Sequence, residues 1–92
     1  MLKSTAQTIF NEIKGEITEF HLADNGWSNL TISVGHTNTR QVNCCCKDKF
    51  YEDQIKGLYE IGSKVMIRFY LSSRKKHDRW YTNVNILSIQ KI

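Results

Sequence analysis

Residues 39–59 read TRQVNCCCKDKFYEDQIKGLY, and the hydrophobic period changes inside them. Up to Cys46 the pattern alternates, with Val42, Cys44 and Cys46 on one side and Gln41, Asn43 and Cys45 on the other. That two-residue repeat is the mark of a half-buried strand. From Asp48 the spacing lengthens, and Tyr51, Ile55 and Leu58 fall at i, i+4 and i+7, one face of a helix running to Tyr59. Asp48 is expected to N-cap it, Glu52 and Lys56 to pair across one turn, and Gly62 to lie just past its end. One short helix therefore interrupts a chain that alternates on both sides of it.

Upstream, Ile9–Leu22 (IFNEIKGEITEFHL) alternates Ile13, Gly15 and Ile17 with Lys14, Glu16 and Thr18. A glycine at an inward position of a strand implies a sharp bend or another strand passing close by, and Gly15 is such a glycine. Ala23-Asp24-Asn25-Gly26 is turn chemistry. Trp27–Val34 follows, with Leu30, Ile32 and Val34 opposed to Asn29, Thr31 and Ser33. Gly35–Asn38 makes the next turn, and Thr39–Cys46 completes a three-stranded meander. Downstream, Lys64–Ser73 sets Val65, Ile67, Phe69 and Leu71 against Met66, Arg68, Tyr70 and Ser72. The polar run Arg74–Arg79 reads as a turn, and a last strand runs from Trp80 to about Ile89. There Trp80, Thr82, Val84 and Ile86 alternate with Tyr81, Asn83 and Asn85, while Leu87 and Ile89 imply a slip of register, as at a bulge.

Three strands, a helix and two strands in 92 residues give an all-β chain in the β-β-β-α-β-β order of a five-stranded OB-fold Greek-key barrel, the short helix between strands 3 and 4. Closure removes most exposed edges, and the absence of proline suits long ladders. The length allows one domain, read as residues 9–92 behind an N-terminal extension of residues 1–8.

Ser72-Ser73-Arg74, the run Asp78-Arg79-Trp80-Tyr81-Thr82-Asn83-Val84 and the earlier Glu12-Ile13-Lys14-Gly15 carry a resemblance. They resemble a largely uncharacterised family of small bacterial and phage OB-fold proteins described as binding single-stranded DNA. The similarity spans about residues 11–90, and RWYTNV is its most specific part. The cysteine triplet and Met1–Thr8 are not features of that family. The resemblance implies the barrel first and the ligand second, because OB-folds also serve as protein-interaction modules.

A net charge of +4 and a pI near 9.1 favour a polyanionic partner, though modestly. OB-folds bind oligonucleotides on strands 2 and 3, between the loops joining strands 1–2 and 4–5. Single strands need cations for phosphates and aromatic faces for bases. Arg74, Lys75, Lys76 and Arg79 supply cations in the 4–5 loop, and Trp27 an aromatic at the end of the 1–2 loop. Arg68, Tyr70 and Tyr81 lie on the outward side of strands 4 and 5, and Asn29, Thr31, Arg40 and Asn43 on strands 2 and 3. Each has a plainer reading. The basic turn can be a solvated hairpin tip, Trp27 a cap on the barrel mouth, and Tyr70 and Tyr81 a cross-strand pair. Trp80, in phase with the apolar side of its strand, is assigned to structure.

Chemistry beyond binding finds no motif. Cys44, Cys45 and Cys46 lack the spaced pairs that zinc requires, and neighbouring strand residues face opposite ways, so they read as small buried hydrophobes with Cys45 the most exposed. His21, His36 and His77 are scattered, and Glu12, Glu16 and Glu19 form a solvated edge. There is no phosphate loop, H-E-x-x-H or nucleophile elbow, so no enzyme, cofactor, metal or small-molecule substrate is expected. Met1–Phe10 lacks the apolar core of a secretory signal and no run could span a membrane, so the chain is expected in the cytoplasm with reduced thiols. The expected partner is single-stranded DNA, with RNA the open alternative, bound by a homo-oligomer acting in replication, recombination or repair. A non-catalytic protein-interaction module is the competing reading.

Overall fold

A computed structural model describes residues 11–23, 25–35 and 40–92. Its elements are β1 (Asn11–Leu22), β2 (Trp27–Val34), β3 (Arg40–Lys47), α1 (Asp48–Gln54), β4 (Lys64–Lys76) and β5 (Arg79–Lys91). The strands close into a barrel in the order β1-β2-β3-β5-β4, with β4 returning to β1. This is the expected five-stranded barrel, with the expected short helix between β3 and β4. The expected extension, residues 1–8, and the turn residues His36–Asn38 lie outside the described residues.

β1 serves two partners. Asn11–Glu16 pair with β4 and Glu16–Leu22 with β2, so the strand bends where the partner changes. Gly15 sits at that bend, and a Cβ there would lie 2.5 Å from the Ser33 carbonyl oxygen and 3.2 Å from Ile32. The expectation of a close strand is met: only glycine fits against the β2 backbone. An irregularity at Thr18 then restores the pairing, and the Thr18 hydroxyl donates to the Thr31 carbonyl at 3.2 Å.

Most of the core is what the alternation selected, except that Leu71, expected in the inward row of β4, is exposed where the hairpin runs beyond the barrel. Ile17, Leu30, Ile32, Cys44, Cys46, Val65, Ile67 and Ile86 are buried, with Ile55 of the segment after α1 plugging one end. Burial pushes the Cys44 thiol from its ordinary 9.0 to about 12 and that of Cys46 to about 11.

Four local expectations are corrected. The helix stops at Gln54 rather than Tyr59, because Gly57 takes a left-handed φ of 77° and Leu58 turns outward, 56% exposed. Gly57, not Gly62, therefore marks its end. Lys47 occupies the N-cap position without a side-chain bond. Asp48 instead accepts a hydrogen bond from the Ser28 hydroxyl at 2.6 Å and donates its N–H to the Gly26 carbonyl, which ties the helix start to β2 and the 1–2 turn. The polar run 74–79 is mostly strand: β4 and β5 pair out to Lys76 and Arg79. Only His77 and Asp78 turn, both with positive φ (52° and 61°), the backbone of a two-residue I′ hairpin. The slip in β5 is real: Phe69 faces Ile86 while Arg68 faces Ser88, leaving Leu87 unpaired.

Three outcomes follow. Gly15→Ala should cost about 1–3 kcal/mol in urea unfolding, since the atom it meets is backbone and cannot step aside cheaply. Asp78→Gly, which relieves an L-residue in the left-handed region, should raise the unfolding free energy by up to about 1 kcal/mol and shift the urea midpoint upward. Below pH 9 the thiols are neutral in folded and unfolded chains alike. Above it the unfolded chain sheds protons that the folded one keeps, so melting temperature should fall as pH climbs from 9 toward 11, and Cys44→Ala with Cys46→Ala should flatten that slope.

Candidate nucleic-acid interface

Outside the barrel, the register aligns two rows of polar side chains. On β2 and β3 the outward pairs are Trp27 with Lys47, Asn29 with Cys45, Thr31 with Asn43 and Ser33 with Gln41. On β4 and β5 they are Tyr70 with Asn85, Ser72 with Asn83, Arg74 with Tyr81 and Lys76 with Arg79. The sheets join where β3 runs parallel to β5, Cys44 beside Val84 and Cys45 beside Asn85. Between the rows lies a groove of about 470 Å³. Asn29 and Cys45 form one wall, Tyr70, Ser72, Asn83 and Asn85 the other, with Arg74 and Tyr81 at the hairpin end. Trp27 and the 1–2 turn residues Ala23 and Asn25 close the opposite end.

Asn85 organises the floor. Its amide donates to the Ser72 hydroxyl at 2.9 Å and the Tyr70 carbonyl at 3.3 Å, and its carbonyl oxygen accepts the Cys45 S–H at 3.3 Å. Buried and bonded on both sides, it cannot turn away. Across from it, the Asn29 carbonyl oxygen is buried with no hydrogen-bond partner among the described residues. Cys45 is half-buried and burial raises its thiol pKa, so it stays a neutral wall residue.

Of the residues singled out in the sequence, Trp27, Asn29, Tyr70, Arg74 and Tyr81 come together in this groove. Lys76 and Arg79 extend its row to the hairpin tip, while Lys75 belongs to the reverse face opposite Trp80. Arg74, Lys75, Lys76 and Arg79 are exposed and form no ion pair among the described residues. Four residues lie elsewhere. Thr31 is buried, accepting from the Asn43 amide at 3.0 Å and facing Glu19 at 3.4 Å, so this part of β2–β3 is self-satisfied and fronted by a carboxylate. Arg40 stands opposite Val34, in phase with the inward row. The Arg68 guanidinium is held by Glu12 at 2.8 Å on the β1 side of the barrel.

Two assignments change. Trp80 is not structural: it lies 68% exposed on the reverse of the hairpin, and Tyr81 is the one lining the groove. Tyr70 and Tyr81 are no cross-strand pair, because Tyr70 faces Asn85 and Tyr81 faces Arg74. Sequence reasoning passed over Asn83, Asn85, Ser72 and Cys45 as wall residues. The alternation Tyr81, Asn83, Asn85 opposite an apolar row was the available signal for the first two.

No family model and no curated protein matches the chain. Solved structures do. A small single-stranded DNA-binding protein from Streptomyces coelicolor superposes with a TM-score of 0.56 at 14% identity, over 95% of this chain and 96% of that one. A mitochondrial single-stranded DNA-binding protein from S. cerevisiae gives 0.65 at 13% identity, over 90% and 91%. At such identities the likeness is one of architecture: the chain has the barrel fold of these single-stranded DNA-binding proteins.

Proposed function

We propose that the chain is a non-catalytic binder of single-stranded DNA. The observation that carries this reading is the groove itself, which gathers Trp27, Tyr70 and Tyr81 in one hollow whose β4–β5 row ends in Arg74, Lys76 and Arg79. A flexible strand with its bases turned inward and its phosphates toward the hairpin matches that order of groups. The floor amides of Asn29, Asn83 and Asn85 give polar contact without a charged lock on one sequence. Affinity then comes from stacking and counterion release, with little base preference and strong salt dependence. Each barrel covers a short stretch, on the order of 4–16 nucleotides, and assembly of several copies adds avidity. A role in replication, recombination or repair in the cytoplasm, and kinship with the small bacterial and phage family that the RWYTNV run resembles, belong to the same reading. Stacking does not distinguish the sugar, so RNA is the alternative strand. The fold shared with two proteins that bind single-stranded DNA supports the reading.

One observation favours a second reading. On the reverse of the hairpin Leu71 and Trp80 are 56% and 68% exposed, the kind of apolar face that a protein-interaction module presents.

Fluorescence anisotropy of labelled oligothymidylate at two salt concentrations, beside a duplex control, separates the two. The single strand should bind preferentially and release with added salt. Trp27→Ala and Tyr81→Ala should each cost about 1–3 kcal/mol, the worth of one stacked base. Arg74→Gln should reduce the slope of log K against log salt by about 0.7, whereas Arg68→Gln, away from the groove, should change neither. No binding at low salt leaves the protein-interaction reading standing.

A further inference from the structure

The groove does not end at Trp27. A second hollow of about 240 Å³ opens toward α1, sharing Trp27, Cys45, Tyr70 and Asn85 with the first and adding Lys47, Phe50 and Leu87. Its character differs. What is particular to the first groove is mostly amide, hydroxyl and guanidinium beside Tyr81; what is particular to this hollow is the apolar set Phe50, Leu87, Ile86 and Cys46, with the Lys47 ammonium.

Leu87 is the telling residue. It is the unpaired residue of the β5 bulge, and continuing the Tyr81, Asn83, Asn85 alternation puts it on the outer face, 39% exposed. The bulge leaves Leu87 without a residue opposite it on β4 and resets the phase only beyond it, so leucine closes the outward row of β5 beside the groove. Lys47 sits opposite Trp27 in the β2–β3 ladder, exposed and without an ion pair among the described residues. It is also the residue before α1, where the helix positive end would favour an acidic side chain. A cation there gives the helix nothing and suits an external anion.

We propose that this hollow is a second base subsite, in which the strand held by the first groove continues past Trp27. One base lodges against Phe50 and Leu87, and its phosphate meets Lys47. The assignment rests on the single-strand reading above and extends its path from the hairpin to the helix. Continuity decides the occupant: four wall residues belong to both hollows, so whatever polymer fills the first is delivered to the second.

The test is a length series of labelled oligothymidylates from about 4 to about 16 nucleotides against wild type, Leu87→Gln and Lys47→Gln, each first checked for an unchanged melting curve. Both replaced side chains are exposed, so the fold should tolerate them. At the shortest lengths all three should bind alike. As the oligomer grows, wild type should gain affinity and Leu87→Gln should fall behind by about 5- to 150-fold, the value of one stacked base. Lys47→Gln should show a shallower salt dependence only at those longer lengths. Equal affinities throughout, or the same loss at every length, would overturn the second subsite while leaving the first intact. Failure of wild type to bind at any length removes the single-strand reading itself, and the subsite with it.

Discussion

The parallel seam between β3 and β5 is two residue pairs long, and the site depends on it. Without it the meander β1-β2-β3 and the hairpin β4-β5 are two sheets sharing only the β1–β4 ladder. With it they form a ring, and the polar row of β2–β3 stands beside that of β4–β5. So short a ladder carries few backbone hydrogen bonds, and parallel pairing is slightly weaker per residue than antiparallel. The side chains at the seam compensate: below it Cys44 packs in the core beside Val84, and above it Cys45 and Asn85 are bonded to each other. Asn85 is thus both a fastener of the barrel and the floor of the groove, and fold and site share one residue.

The same architecture sorts the charges. Arg74, Lys76 and Arg79, without ion pairs among the described residues, extend past the barrel on one row with Lys75 on the reverse, while Arg68 is engaged by Glu12 on another side. Glu19 stands against Thr31 on the lower part of the β2–β3 face, where its carboxylate would repel a phosphate. On the proposed reading, phosphates keep away from the Thr31–Glu19 part of the meander and lie along the hairpin row and at Lys47. A net charge of +4 is small, but its distribution gives it a direction.

Most of the fold was legible in the sequence because each strand buries one face, and a period of two cannot slip without turning a whole row outward. β2 falls where the pattern puts it, Trp27–Val34, and even the bulge at Leu87 announced itself as a broken alternation. What failed were features set by the chain's surroundings. His77-Asp78 lacks the Asn-Gly signature of a I′ turn, so a tight hairpin looked like a six-residue loop. Leu58 keeps a helical spacing, but Gly57 ends the helix first. Trp80 has the right phase for the core, yet its strand has already left the barrel and there is no core to enter. Within the site, aromatic and basic residues were visible as types; that Thr31 is consumed by Asn43 and Glu19 depends on neighbours across two ladders, which no local pattern encodes.

The two tryptophans offer the most direct measurement. Trp27 lines the groove and Trp80 stands on the opposite face of the hairpin, so a ¹H–¹⁵N correlation spectrum holds two indole signals that report the two faces separately. Titration with a short oligothymidylate should move the Trp27 indole, together with the side-chain amides of Asn83 and Asn85, and leave Trp80 in place. Movement of Trp80 with Trp27 unchanged would place the ligand on the reverse face and contradict the account.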